Sequence, residues 1–215
     1  MSATILLVDD HQLVRKGLRM LLEREVGLTV VGEAGTGTEG LRLFGELRPD
    51  VVVLDIHLPD IDGLEVARRL LSENPAARVV ILSGDAEVDF INEALLAGVK
   101  GYILKSGAEE DLVHAIRAAL SGKAYLCPEI STVVLADYRK TLIGAASPSK
   151  PTLSAREREV LKYIAHGLRT KETAAQMGVG VKTAETYRRR LMRKLGYTSI
   201  AELTRYAIRE GIASA

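Results

Sequence analysis

Apolar positions recur along this chain in two alternating rhythms. Short unbroken apolar runs lie at 4–8 (TILLV), 28–34 (LTVVGEA), 51–55 (VVVLD), 78–83 (RVVILS) and 101–104 (GYIL). Runs of this kind and length read as strands buried on both faces of a parallel sheet. Between and after them apolar residues return every three or four positions, which predicts helices over 11–25, 38–47, 63–73, 88–97 and 108–120. Pro49 stops the second helix and Gly122 lies just beyond the fifth. Strict strand–helix alternation requires right-handed crossovers, with helices on both faces of the sheet. The expected class is therefore α/β, a flavodoxin-like (βα)5 unit over 1–122 with a five-stranded parallel sheet in the order 2-1-3-4-5.

The rhythm then changes. Residues 123–150 read as a linker, with a possible short helix over 128–140 and a tether at 144–151 (GAASPSKP). From 151 to 215 only the helical period remains. Ser154 and Glu157 fit a capping box that opens a helix reaching about residue 166. Thr170 is placed to cap a helix over 171–177, and further helices are expected over 181–195 and 200–209. Two short helices joined by a tight turn, the second cationic, describe a helix-turn-helix within a small four-helix all-α unit.

Charge sharpens this division. Residues 1–149 hold 15 Lys and Arg against 22 Asp and Glu, whereas 150–215 hold 14 against 6, so the stated net charge of +1 conceals −7 and +8. An acidic body with a small basic unit suggests that only the latter meets a polyanion. Cys127 is the single cysteine, which excludes an intrachain disulfide. The apolar start at 5–8 is too short for a signal peptide and is interrupted by Asp9 and Asp10. No apolar run approaches the ~18–20 residues that span a bilayer, so a cytoplasmic protein without membrane contact is expected.

The residues that close the strands are Asp9 and Asp10, Asp55, Ser83 and Lys105. In a parallel sheet these ends share one edge. Three close carboxylates stay ionised only beside a counter-charge. A hard divalent cation with oxygen ligands fits, and Mg2+ suits a site that leaves room for water and phosphate oxygens. A carboxylate beside such a cation can attack a phosphoryl group. Lys105 would neutralise its oxygens and Ser83 would donate a hydrogen bond.

Those residues, in VVVLDIHLPDIDG, VVILSG and GYILK, resemble the receiver domain of two-component response regulators over about 3–122. The resemblance implies that Asp55 accepts phosphate from a sensor histidine kinase. It implies that Asp10 and Asp55 ligate Mg2+, with Asp9 acting through water and the carbonyl of His57 as a further ligand. It assigns Lys105 to the phosphoryl group, and Ser83 with Tyr102 to a switch in which Tyr102 rotates inward. Two positions depart from the family's usual pattern: His57, where a residue without formal charge is frequent, and Gly84, where Ala is common. Both flank the phosphate, so an unusual phosphate lifetime is expected. Ser106 stands where many receivers carry Pro.

The stretch LSAREREVLKYIAHGLRTKETAAQMGVGVKTAETYRRRLMRKLG resembles the LuxR-type DNA-binding domain over about 151–213. The whole chain thus looks like a NarL/FixJ-class response regulator. The resemblance implies that 181–195 enters the major groove, with Glu185, Thr186 and Arg189 as base readers. It makes Lys171, Lys182, Thr183, Arg188 and Lys194 phosphate contacts. Glu185 replaces a frequent Lys and would accept from a cytosine amino group. Thr173 and Gly180 replace a common apolar residue and a common capping Ser. The expected function is phosphorylation-controlled binding of a homodimer to a pseudo-palindromic double-stranded DNA operator, with no separate enzyme activity. Two rivals remain. A small-molecule phosphatase sits badly with the helix-turn-helix and with His57 in place of a second Asp. An adaptor would use its receiver for docking without phosphorylation.

Overall fold

The computed structural model describes residues 2–84, 86–144, 153 and 155–213. The chain divides into two compact units, Met1–Ala145 and Ala146–Ala215.

In the first unit β1 (Ala3–Val8), α1 (Gln12–Glu23), β2 (Leu28–Ala34), α2 (Gly37–Leu47) and β3 (Val51–Asp55) are followed by α3 (Gly63–Glu73), β4 (Val79–Ser83), α4 (Val88–Ala97), β5 (Gly101–Leu104) and α5 (Ala108–Leu120). A short 3-10 turn over Lys105–Gly107 separates β5 from α5. All five residues of β3 and of β4 are buried, as strands covered on both faces require. The sheet is parallel throughout, in the order β2-β1-β3-β4-β5-β6.

That order extends the five-stranded expectation by one strand. β6 is only Tyr125–Leu126 and pairs with Gly101 and Tyr102 on the far side of β5. Two residues carry no periodicity, so the pattern along the chain had nothing to register. After β6 comes α6, Pro128–Gly144, a helix of 17 residues. It packs on α4, where the Asn92 amide donates to Asp137 at 2.9 Å. Much of the stretch read as a linker is therefore part of the first unit. The expected tether lies, beyond Gly144, outside the described residues.

Local chemistry sets the helix starts near the sheet edge. Asp62 caps α3 by accepting from the Leu64 N–H, and Thr36 caps α2 by accepting from the Glu39 N–H. Asp60, in the loop after β3, accepts from the N–H groups of Gly37 and Thr38 at the start of α2, at 2.8 and 2.9 Å. Gly63 is dictated by crowding: a Cβ there would sit 2.0 Å from the Asp55 carbonyl oxygen.

The second unit is α7 (Ala155–Ala165), α8 (Thr170–Met177), α9 (Val181–Leu195) and α10 (Ile200–Arg209). Val160, Leu161, Ala174, Ala184, Tyr187, Leu191, Leu203 and Ala207 form its core. The cap expected from Ser154 lies outside the described residues. Thr170 is the first residue of α8 rather than its cap. Arg169 holds the cap position, and its N–H donates to Glu172 at 2.7 Å. α9 starts at Gly180, which offers no capping side chain. Among the described residues no helix is long and apolar enough to cross a membrane.

Candidate metal centre and nucleic-acid interface

Parallel registration brings the strand ends together. Val8 lies opposite Leu54, Asp55 opposite Leu82 and Ser83 opposite Leu104. The next residues along each strand leave the sheet on one edge. Asp9 and Asp55 are almost wholly buried there, 2% and 1% exposed, and Asp10 is half-buried. Lys105 Nζ lies 2.7 Å from Asp55 Oδ2 and 2.7 Å from Asp9 Oδ2. The main chain adds donors. The His57 N–H reaches Asp55 Oδ1 at 3.2 Å, and the His11 N–H reaches Asp9 Oδ1 at 2.7 Å.

Burial pushes the Asp55 carboxyl above its ordinary range, and the Asp9 charge adds to that, while Lys105 and the His57 N–H oppose it. Burial works to lower the Lys105 ammonium, but Asp55 and Asp9 outweigh it and hold its pKa above normal. Among the described residues, Lys105 thus meets two buried carboxylates, and Asp10 lies alongside. Asp9, Asp10, His11 and Asp55 each offer a ligand atom within 4.8 Å of the others. A buried surplus of oxygen donors fits a hard divalent cation such as Mg2+.

The sequence reading missed His11. Its Nδ1 lies 2.7 Å from Asp10 Oδ1 and 3.4 Å from Asp9 Oδ1. Its position directly after the Asp pair was the available signal. His57 sits at the rim, its ring edge-on to Phe90 with centroids 5.6 Å apart. Ser83 is fully buried at the end of β4, and Tyr102 is fully buried within β5, turned inward. Gly84 is exposed, with open space where a Cβ would stand. Among the described residues there is no cis peptide bond, so Lys105 and Ser106 are joined in trans.

The basic helix sorts its residues less simply than its period suggests. Lys171, Lys182 and Arg189 are exposed. Thr183, Glu185 and Arg188 are half-buried, and an Arg188 nitrogen lies 3.5 Å from Glu185. One expected contact is corrected. Thr186 is buried, and its hydroxyl donates to the Lys182 carbonyl at 3.1 Å, so it does not face a groove. Lys194 donates to Glu157 at 2.9 Å, tying the end of α9 to α7, and Glu157 is itself buried. Arg190, on the same helix, is buried too.

The comparisons with known proteins match this division. Residues 5–117 match the response regulator receiver domain. Residues 151–207 match the bacterial regulatory proteins of the luxR family. The chain belongs to the response regulators. It is similar to the response regulator GacA of Pseudomonas aeruginosa, 36% identical over 98% of each chain. It is also 36% identical to the putative positive transcription regulator BvgA of Bordetella pertussis, over 97% of this chain and 98% of that one. A LuxR-family response regulator from Aurantimonas sp. SI85-9A1 matches 65% of this chain and 99% of its own, with 39% identity and a TM-score of 0.62. The response regulator RcsB in complex with DNA matches 96% of this chain and 98% of its own, with 25% identity and a TM-score of 0.61. This response regulator is thus a two-component, LuxR-type DNA-binding transcription regulator.

Proposed function

We propose that Asp55 accepts a phosphoryl group from a sensor histidine kinase in the cytoplasm, and that this event controls how the second unit binds DNA. The observation that carries the reading is Lys105 bridging Asp55 and Asp9 at 2.7 Å each, with Asp10 alongside. Asp10 and Asp55 would hold Mg2+, Asp9 would act mainly through water, and the His57 carbonyl would be a further ligand. The ion would supply charge neutralisation at the phosphoryl oxygens. An Asp55 carboxylate oxygen forms the new P–O bond as the P–N bond to the kinase's phosphohistidine breaks. The Lys105 ammonium meets one phosphoryl oxygen and the Ser83 hydroxyl donates to another. Tyr102, already buried in β5, supports an arrangement in which the switch pair closes behind the phosphate.

The DNA end follows from the exposed cations. α9 enters the major groove with Glu185 and Arg189 toward base edges, while Lys171, Lys182, Thr183 and Arg188 meet phosphates. Phosphorylation favours a homodimer on a pseudo-palindromic operator, where two-fold protein symmetry matches two half-sites. RcsB bound to DNA supports this use of the fold. The test selects bound DNA from a random pool with and without beryllofluoride and Mg2+. Enrichment of a pseudo-palindrome that sharpens with beryllofluoride is the expected result. Unchanged affinity and oligomeric state would favour the docking adaptor instead.

A further inference from the structure

The second unit contains a cleft of about 270 Å³ between α7, α8, α9 and the start of α10. Its walls include Val160, Ile164 and Ile200, and its polar lining includes Thr173, Arg169 and Arg188. The lining contains no carboxylate. Thr173 is 2% exposed, and its hydroxyl has no hydrogen-bond partner among the described residues. Its N–H is used within the helix by the Arg169 carbonyl, but the side chain is not. Arg188 Nε is likewise buried without a hydrogen-bond partner, although another nitrogen of that side chain approaches Glu185 at 3.5 Å.

A buried hydroxyl left without a partner costs about 1–3 kcal/mol. A threonine in an apolar cleft therefore asks for an acceptor. Arg169 and Arg188 line the same cleft, and their charge favours an anionic acceptor. The volume corresponds to roughly nine water volumes at ~30 Å³ each, room for a small organic acid. We propose that this cleft binds a small amphiphilic carboxylate, such as a medium-chain fatty acid or an aromatic acid. The carboxylate accepts from the Thr173 hydroxyl and from Arg188, with Arg169 adding charge. The apolar body lies along Val160, Ile164 and Ile200. Because Thr173 stands on α8 and Arg188 on α9, the ligand would clamp the two halves of the helix-turn-helix.

The full-length protein is titrated calorimetrically with sodium octanoate and sodium benzoate, with sodium acetate and octan-1-ol as the head-only and body-only controls. One-to-one binding is expected near ~0.1–1 mM for one of the acids, as so few atoms supply. Acetate and octanol should bind at least tenfold more weakly. Thr173→Val removes the hydroxyl at nearly constant volume and should weaken binding about tenfold while the protein stays folded. Arg188→Gln should erase the preference for octanoate over octanol. Two results overturn the proposal: no saturable binding of either acid by the wild-type protein, or binding that neither variant alters. Methyl NMR shifts at Ile164 and Ile200 report occupancy in the wild-type protein, so a misfolded variant does not decide the matter. The measurement contains no DNA, so it stands or falls apart from the role given to α9.

Discussion

Lys105 and Lys194 each place an ammonium against a buried carboxylate, one in each unit of the chain. Lys194 meets Glu157 at 2.9 Å across 37 residues of sequence. Lys105 meets Asp55 and Asp9 at 2.7 Å each, and Asp10 stands beside them. The first pair acts as a strut between two helices. The second group keeps a negative surplus that burial makes costly, and that surplus is what a cation and a phosphoryl group can relieve. An ion pair alone therefore says little; the residual charge around it separates architecture from chemistry.

The sharpest break in this comparison is Asp55→Asn. Incorporation of phosphate from an acyl phosphate, read by phosphate-affinity electrophoresis, should disappear altogether. Lys194→Met should leave that incorporation intact but cost about 2–3 kcal/mol of second-unit stability in urea, because buried Glu157 loses its ammonium partner. The double variant Glu157→Leu with Lys194→Met should recover most of that loss. DNA titrations across salt distinguish strut from interface: Lys171→Met and Lys182→Met should each lower the salt slope by about one unit. Lys194→Met should not change the slope.

The acidic edge also makes a pH prediction. Burial raises the folded-state pKa of Asp55 above 3.8, so its stabilising form is the protonated one. That contribution is complete below 3.8 and fades as pH rises through the folded value. In EDTA the wild-type protein should lose melting temperature relative to Asp55→Asn as pH climbs toward neutrality, and Mg2+ should close the gap. Asp60 behaves oppositely. Its hydrogen bonds to the start of α2 hold it down at about 2, so its small contribution is present above 3.8 and vanishes on acidification toward 2. The smallest effect belongs to Gly180→Ser, which gives α9 a capping hydroxyl and should add a few tenths of a kcal/mol.

Most of the sheet was legible because each long strand is an apolar run set between turn residues, and the strand-closing Asp, Ser and Lys fall on one edge by topology alone. β6 was not legible, since two residues have no pattern. Thr186 was misplaced because α9 buries a wider sector than its apolar residues mark; Arg190, one turn along, is buried on the same side. The Lys194–Glu157 pair joins residues far apart in sequence, which no local period reveals. The orphan hydroxyl of Thr173 is of the same kind. Its residue type stands in the sequence, but its isolation exists only once the helices have packed.

The little strand Tyr125–Leu126 has a practical consequence. A receiver fragment severed at residue 122 would lose both it and α6, and the outer rim of β5 would be stripped of its parallel neighbour. Naked rims of this sort recruit strands from other molecules and clump. Anyone grafting this receiver onto a different output module would do better to cut after Gly144.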